Sequence, residues 1–264
     1  MPNSAELLEV CRLAARAGAE QLLSWRGRFE TREKGARDFV TDADIASEKA
    51  VCTVIAQHFP SHAILGEESA AESAPAKELL SRPFCWVIDP LDGTTNYLHQ
   101  FPCFGVSVAV AADGILQAGV IIDPLLREEF AASRGGGATL NGAPLQVSDT
   151  TAVESSLVAI SFPPNLAPDS PDLQAFLNVA TQCRAVRRTG SAALNLAYVA
   201  SSRLDAHWAH QIHPWDAAAG VLLVQEAGGM VTASRGGEFD LAEANYFACS
   251  NVELHKHLMP LVKA

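Results

Sequence analysis

The stretch Trp86 to Asn96, Trp-Val-Ile-Asp-Pro-Leu-Asp-Gly-Thr-Thr-Asn, restricts the architecture more than any other part of the chain. Trp86, Val87 and Ile88 are apolar and strand-favouring, and the run predicts a buried strand that stops at Asp89-Pro90. Pro90 lacks a backbone N–H and has a fixed φ. It therefore bends the chain and lets Asp89 and Asp92 face one space, with the Leu91 carbonyl turned outward between them. Gly93-Thr94-Thr95 reads as the start of a helix, where free N–H groups suit a phosphate. Two carboxylates about 4 Å apart repel by roughly 4 kcal/mol at an effective dielectric of about 20. Oxygen ligands without His or Cys beside them thus call for a hard cation, with magnesium, manganese or calcium ahead of zinc. In isolation the same motif reads as an Asx-type turn capping a helix.

The rest of the chain supplies further acids at comparable places. Ser4 to Trp25 has a helical period with Leu7, Val10, Cys11, Ala14, Ala17 and Gly18 on one face, and Ser4 is placed to cap it. Phe29 to Val40, with Lys34-Gly35 and Asp38, reads as a hairpin or an open loop. Thr41-Asp42-Ala43-Asp44 opens a helix to about His58, and its two acids suit the first turn of a helix or a water held near a metal. Ala63-Ile64-Leu65 is a strand ending at Gly66-Glu67-Glu68-Ser69, and residues 70 to 83 are a loop or weak helix. Phe104 to Ala111 and Ile115 to Ile122 form a hairpin around Asp113-Gly114. Glu129 to Ala132 and Ala138 to Leu140 continue the meander, with Gly135-Gly136-Gly137 as a mobile tip.

From about residue 151 strands and helices alternate. Strands at Leu157–Ile160, Ala185–Val186, Asp205–Trp208 and Tyr246–Cys249 are interleaved with helices opening at Ser170-Pro171, Gly190, His213-Pro214 and Asn251. The change predicts two lobes in one compact unit, residues 1–150 carrying most of the acidic positions and residues 151–264 carrying Asp216. With 264 residues and 48% hydrophobic content the chain can bury a substantial core. A net charge of −11 argues against a nucleic-acid partner, and no apolar run approaches the ~20 residues that cross a bilayer. The six scattered cysteines, none in a Cys-x-x-Cys pair, read as reduced core residues of a cytoplasmic protein.

Glu67, Asp89, Asp92 and Asp216 each lie at the end of a strand or the start of a helix, beside Gly or Pro. With the Leu91 carbonyl they would supply oxygens for two divalent ions roughly 3.5 to 4 Å apart, an arrangement suited to phosphate-ester hydrolysis. The spacing of His207, His210 and His213 would suit zinc only if the three shared a face, which a strand followed by a loop does not give.

The segments Gly66-Glu67-Glu68-Ser69, Trp86 to Asn96, Trp215-Asp216 and Glu226-Ala-Gly-Gly229 resemble the signatures of the inositol monophosphatase family. The similarity runs from Lys34…Asp38-Phe-Val-Thr-Asp-Ala-Asp44 to Gly228-Gly229. The resemblance implies a layered αβαβα fold like that of fructose-1,6-bisphosphatase, a homodimer, lithium sensitivity, and two or three Mg2+, for which Mn2+ can substitute. It implies a first magnesium on Glu67, Asp89 and the Leu91 carbonyl, a second on Asp89, Asp92 and Asp216, and a third leaning on Glu67. By the same resemblance Thr94 and Asp44 position and deprotonate the attacking water, Gly93 and Thr94 hold the phosphate, and Lys34 lines a loop that closes over the site. Gly190-Ser191-Ala192 and Asp216 then meet the ring of a small phosphorylated polyol or sugar, by default myo-inositol 1-phosphate. Inositol-specific members carry a Glu seven residues before the last metal ligand, where this chain has Ala209. Histidinol phosphate, fructose 1,6-bisphosphate and 3′-phosphoadenosine 5′-phosphate are the alternative substrates, His210 or Gln211 is a further substrate contact, and a non-catalytic metal and sugar-phosphate binding protein is the alternative of another class.

Overall fold

The computed structural model describes residues 2–35, 38–70, 74–163 and 165–263, and of residues 33–35, 38 and 39 the backbone alone. Helix α1 (Ser4–Trp25) is capped by Asn3, not Ser4: the Asn3 side chain accepts from the N–H groups of Ala5 and Glu6, and Glu6 reaches back to the Asn3 N–H. A hairpin follows, β1 (Thr31–Gly35) and β2 (Asp38–Thr41), and leads into α2 (Asp42–His58). Both helices lay their apolar faces on a seven-stranded sheet of β3 (Ala63–Gly66), β4 (Cys85–Asp92), β5 (Gly105–Ala112), β6 (Ile115–Asp123), β7 (Glu128–Ser133), β8 (Gly137–Leu140) and β9 (Ala143–Pro144). The strands lie in that order, antiparallel except for the parallel pair β3–β4.

The second sheet comprises β10 (Leu157–Ile160), β11 (Ala185–Arg187), β12 (Ala206–Ala209), β13 (Met230–Thr232) and β14 (Tyr246–Cys249). Their order is β11-β10-β12-β14-β13, and β10 runs parallel to both neighbours. Between the sheets lie α6 (Ala192–Ala200) and α7 (Pro214–Glu226), nearly every residue of which is buried. They approach so closely that a Cβ on Gly220 would stand 2.4 Å from Leu196 Cβ. The outer face of the second sheet is covered by α5 (Pro171–Ala180) and α8 (Val252–Val262). The result is the layered αβαβα sandwich, with two short helices, α3 (Ala76–Leu80) and α4 (Thr94–Leu98), in the connections.

Three local expectations change. The apolar strand does not stop at Asp89-Pro90: β4 continues to Asp92. Its pairing with β5 passes from Asp89↔Ser107 to Asp92↔Gly105, so a bulge absorbs Pro90 and Leu91, and β3 has already ended opposite Ile88, which leaves no partner asking Pro90 for an N–H. The glycine tip at 135–137 is pinned, since the Gly135 and Gly137 N–H groups each donate to the Glu226 carboxylate at 2.9 Å. Strand β13, which sequence periodicity does not reveal, completes the second sheet. All six cysteines are free, four of them buried, and no helix among the described residues is long and apolar enough to cross a membrane.

Candidate functional site

Asp89 and Asp92 lie at the end of β4 and Asp216 at the start of α7, yet each offers a carboxylate oxygen within 4.8 Å of the other two. Every one is oriented by backbone N–H donors. Asp89 accepts from the Leu91 N–H at 3.0 Å, the turn that the bulge creates. Asp216 sits at the third position of α7, where Pro214 occupies the first turn, and accepts from the His213 N–H at 2.7 Å. Asp92 is met by the N-terminus of α6: the N–H groups of Ala192 and Ala193 donate at 3.1 and 2.9 Å, and the Ser191 hydroxyl donates a short hydrogen bond.

Three carboxylates this close penalise one another. Burial, then the charges of Glu67, Asp92 and Asp216, push the Asp89 carboxyl well above the usual carboxylate range, against the Leu91 N–H. Burial raises Asp92 too, opposed first by Ser191. Asp216 is pushed up to about 7 by burial and then by Asp92, opposed by the His213 N–H. The donor set is all oxygen, its negative charge is concentrated and half-enclosed, and a divalent hard cation fits it. Among the described residues this is the group of His, Cys, Asp or Glu side chains with metal-holding spacing, and it contains no histidine. His207 is buried, its ring nitrogens bonded to Ser161 and Tyr246, while His210 Nδ1 lies 2.8 Å from Ser234 Oγ.

Glu67 lies outside the tight trio but lines the same cavity, close enough for its charge to raise Asp89. The turn that carries it is held by Glu48, a buried carboxylate that accepts from the Glu68 N–H at 2.8 Å. Behind the trio, Gly93 takes φ +93 as the residue preceding α4, with its Cα against the Cys103 carbonyl, so a side chain there would be strained and obstructed. Thr94 follows. Its hydroxyl lies 3.1 Å from the Leu91 carbonyl and 3.4 Å from Asp44 Oδ1. Asp44 is fully buried, and its other oxygen accepts from the Thr41 N–H at 2.8 Å and from the Thr41 hydroxyl.

A cavity of about 420 Å³ opens at Glu67, Asp92 and Asp216. Glu67, Asp92, Asp216, Gly190 and Ala192 line it; Ser191 is fully buried behind it with its hydroxyl on Asp92. The side chain of Lys34 lies outside the described residues. The remaining wall comes from the carboxyl ends of the three parallel strands, with Ser161 after β10, Arg188 after β11 and Gln211 after β12. Open α/β sheets place ligands at such strand ends. Sequence reading singled out neither Ser161 nor Arg188; Ser161 directly follows the apolar run Leu157–Ile160, whereas Arg188 follows Arg187 and has no such signal. Ala209 is fully buried within β12, so the position held by Glu in inositol-specific members presents no acceptor here.

The family model for the inositol monophosphatase family matches residues 3–264. The chain is 38% identical over 263 residues to the Nus factor SuhB of Pseudomonas aeruginosa, covering 97% of this chain and 96% of that one. It is 40% identical over 253 residues to the inositol-1-monophosphatase of Synechocystis, covering 94% and 85%. The crystal structure of the extragenic suppressor protein suhB from Bartonella henselae superposes with a TM-score of 0.89 at 35% identity, covering 97% of both chains. Sequence, fold and the convergence of acids from β4 and α7 agree: the chain belongs to the inositol monophosphatase family.

Proposed function

We propose that the protein hydrolyses a small phosphate monoester of a polyol or sugar, with myo-inositol 1-phosphate as the default substrate, using magnesium held by Glu67, Asp89, the Leu91 carbonyl, Asp92 and Asp216. The observation that carries this reading is the cluster of three carboxylates, two of which, Asp92 and Asp216, line the cavity with Glu67, while the Thr94 hydroxyl joins Asp44 to the Leu91 carbonyl between Asp89 and Asp92. Magnesium in that donor set, two ions or three, would acidify the attacking water and take up charge on the leaving oxygen. The chain's own residues do the rest. The Thr94 hydroxyl accepts a proton from water as it passes its own to Asp44 Oδ1, and Asp44 is suited to receive it because its second oxygen is fixed by Thr41. Glu67 serves from the cavity wall as an additional carboxylate for metal and water. The Gly93 and Thr94 N–H groups hold the phosphate, and Gly190, Ala192 and Asp216 bound the space for the ring. Water attacks phosphorus directly, so no covalent nucleophile is required.

Phosphate release from a panel of sugar and polyol phosphates, with magnesium and with chelator, tests the reading beside Asp92→Asn. Loss of at least about a hundredfold in kcat is expected for the variant, in line with removing a charged group that acts on the transition state; undiminished turnover refutes it. A second reading draws on the Nus factor name of the Pseudomonas relative: a binding role that retains the metal cage. A protein that binds magnesium and sugar phosphate tightly yet releases no phosphate would favour that role.

A further inference from the structure

The cavity is electrically lopsided in a way that cleavage of a phosphate monoester does not require. Its metal end holds Glu67, Asp92 and Asp216, and the wall built from the parallel strand ends holds Arg188. Arg188 is exposed, and among the described residues its guanidinium has no hydrogen-bond or ion-pair partner. The backbone that carries it is fixed. Arg187 closes the pairing of β10 with β11, the Thr189 carbonyl accepts from Asn96 Nδ2 at 2.8 Å, and the Thr189 hydroxyl donates to Asn195 Oδ1 at 2.8 Å. Gly190 takes φ +89 with the Asn96 amide packed against it. Asn96 belongs to α4, the helix that begins with Thr94, so one side chain ties the phosphate end of the cavity to the segment bearing Arg188.

The neighbours of Arg188 on that wall, Ser161 and Gln211, are neutral, and Ala209 supplies no carboxylate to neutralise it. An unpaired guanidinium on a rigid backbone in a protein of net charge −11 is a directed receptor for an anion, since its planar fork matches carboxylate and phosphate oxygens. We propose that Arg188 binds a second anionic group of the substrate, so that the preferred ester carries a carboxylate or a further phosphate beside the phosphate that is cleaved. This rests on the phosphatase reading above and replaces its default substrate, myo-inositol 1-phosphate, with an ester that bears a second anion.

Matched pairs of phosphate esters test it: glycerol 3-phosphate against 3-phosphoglycerate, and fructose 1-phosphate against fructose 1,6-bisphosphate. Phosphate release is measured at saturating magnesium for the wild-type protein, Arg188→Ala, Arg188→Lys and the neighbouring control Arg187→Ala. The wild type should favour the anion-bearing member of at least one pair. Arg188→Ala should lower kcat/KM for that member about tenfold more than for its neutral counterpart, the scale of one charge-assisted hydrogen bond at a solvent-accessible site. Arg188→Lys should recover part of the preference, Arg187→Ala should leave it intact, and added salt should shrink it. A preference confined to the first pair identifies a carboxylate, and one confined to the second identifies a phosphate. Equal losses on both members, or no loss, overturn the proposal. Turnover of the neutral esters without any dependence on Arg188 sinks this inference alone, whereas no phosphate release from all four esters sinks the phosphatase reading first.

Discussion

Ser191→Ala separates two roles that one residue could hold. The family resemblance puts Ser191 against the substrate ring; the structure puts its hydroxyl between Asp92, to which it donates, and the Leu194 N–H, from which it accepts at 3.2 Å. The substitution removes a helix N-cap, worth roughly 0.5–2 kcal/mol. It also removes one hydrogen bond to a buried carboxylate, worth about 1.5–3 kcal/mol. Alanine leaves almost no void, and the Ala192 and Ala193 N–H groups stay on Asp92, so no cavity cost is added and the aspartate keeps two donors. A loss of about 2–4 kcal/mol follows, because one hydroxyl serves both contacts and the two contributions do not add in full. For a chain of this length that corresponds to a fall of about 5–15 °C in Tm. Thermal and urea unfolding in chelator read it directly. In kinetics the half-saturating magnesium concentration should rise roughly tenfold, as it does when a group orienting a metal ligand is lost. KM for the ester at saturating magnesium should stay within about twofold. An unchanged unfolding midpoint together with a raised KM and an unchanged magnesium dependence would refute this account and restore Ser191 to the ring.

Magnesium should raise Tm more at pH 8 than at pH 6: the Asp216 carboxyl, at about 7 when folded, lies above its unfolded value, so its contribution to the metal-free protein is lost as pH rises through 7, and a cation offsets that loss. Equal magnesium shifts at the two pH values, in thermal scans, would contradict this. His207, buried and lowered to about 3, is neutral in the folded protein, so the stability it contributes is complete above about 6.5 and falls by about 1.4 kcal/mol per pH unit below that. His207→Gln should flatten the acid limb of urea-unfolding free energy by one proton. Gly220→Ala should destabilise by about 1–3 kcal/mol by overpacking Leu196, less the roughly 1 kcal/mol that alanine adds to a helix; a Tm at or above wild type would show that α6 and α7 can part at little cost.

The long elements could be read from the sequence because burial alone decides them. In α1, Leu7, Val10, Cys11, Ala14 and Gly18 of the predicted face are buried, while Ala17, assigned to the same face, is only half-buried. Strand β13 could not be read: Met230-Val-Thr232 is three residues long and half-exposed, and its conformation comes from pairing with β14, the next strand, across the loop of residues 233–245. The stop expected at Asp89-Pro90 failed for a related reason. A proline ends a strand only where a neighbour needs its N–H, and the sequence does not show that β3 has already ended there. Arg188 carried no signal of its own, since its meaning depends on β10, β11 and β12 being parallel and ending at one cavity.

The acids teach a different lesson about reading sites. Capping a helix and holding a water near a metal stood as rival explanations for Asp44, and the structure gives both Asp44 and Asp216 a cap while leaving the second role open. Both occupy the third position of a helix whose preceding residue, Thr41 or His213, shares a reciprocal pair of hydrogen bonds with them. One oxygen of each is fixed by the backbone, and a carboxylate so fixed loses little further freedom when its other oxygen takes a cation or a proton. The same logic extends to Asp89 on the Leu91 N–H and to Asp92 on the start of α6. Hydrogen bonds from backbone N–H groups are therefore the means by which acids distant in sequence are held together despite their repulsion. If that is right, Asp216→Asn, which keeps the acceptor for the His213 N–H and removes one charge from the cluster, should raise the Tm of the metal-free protein while weakening its response to magnesium. A lower metal-free Tm in that variant would mean that the charge itself, and not the cap, holds the end of α7 in place.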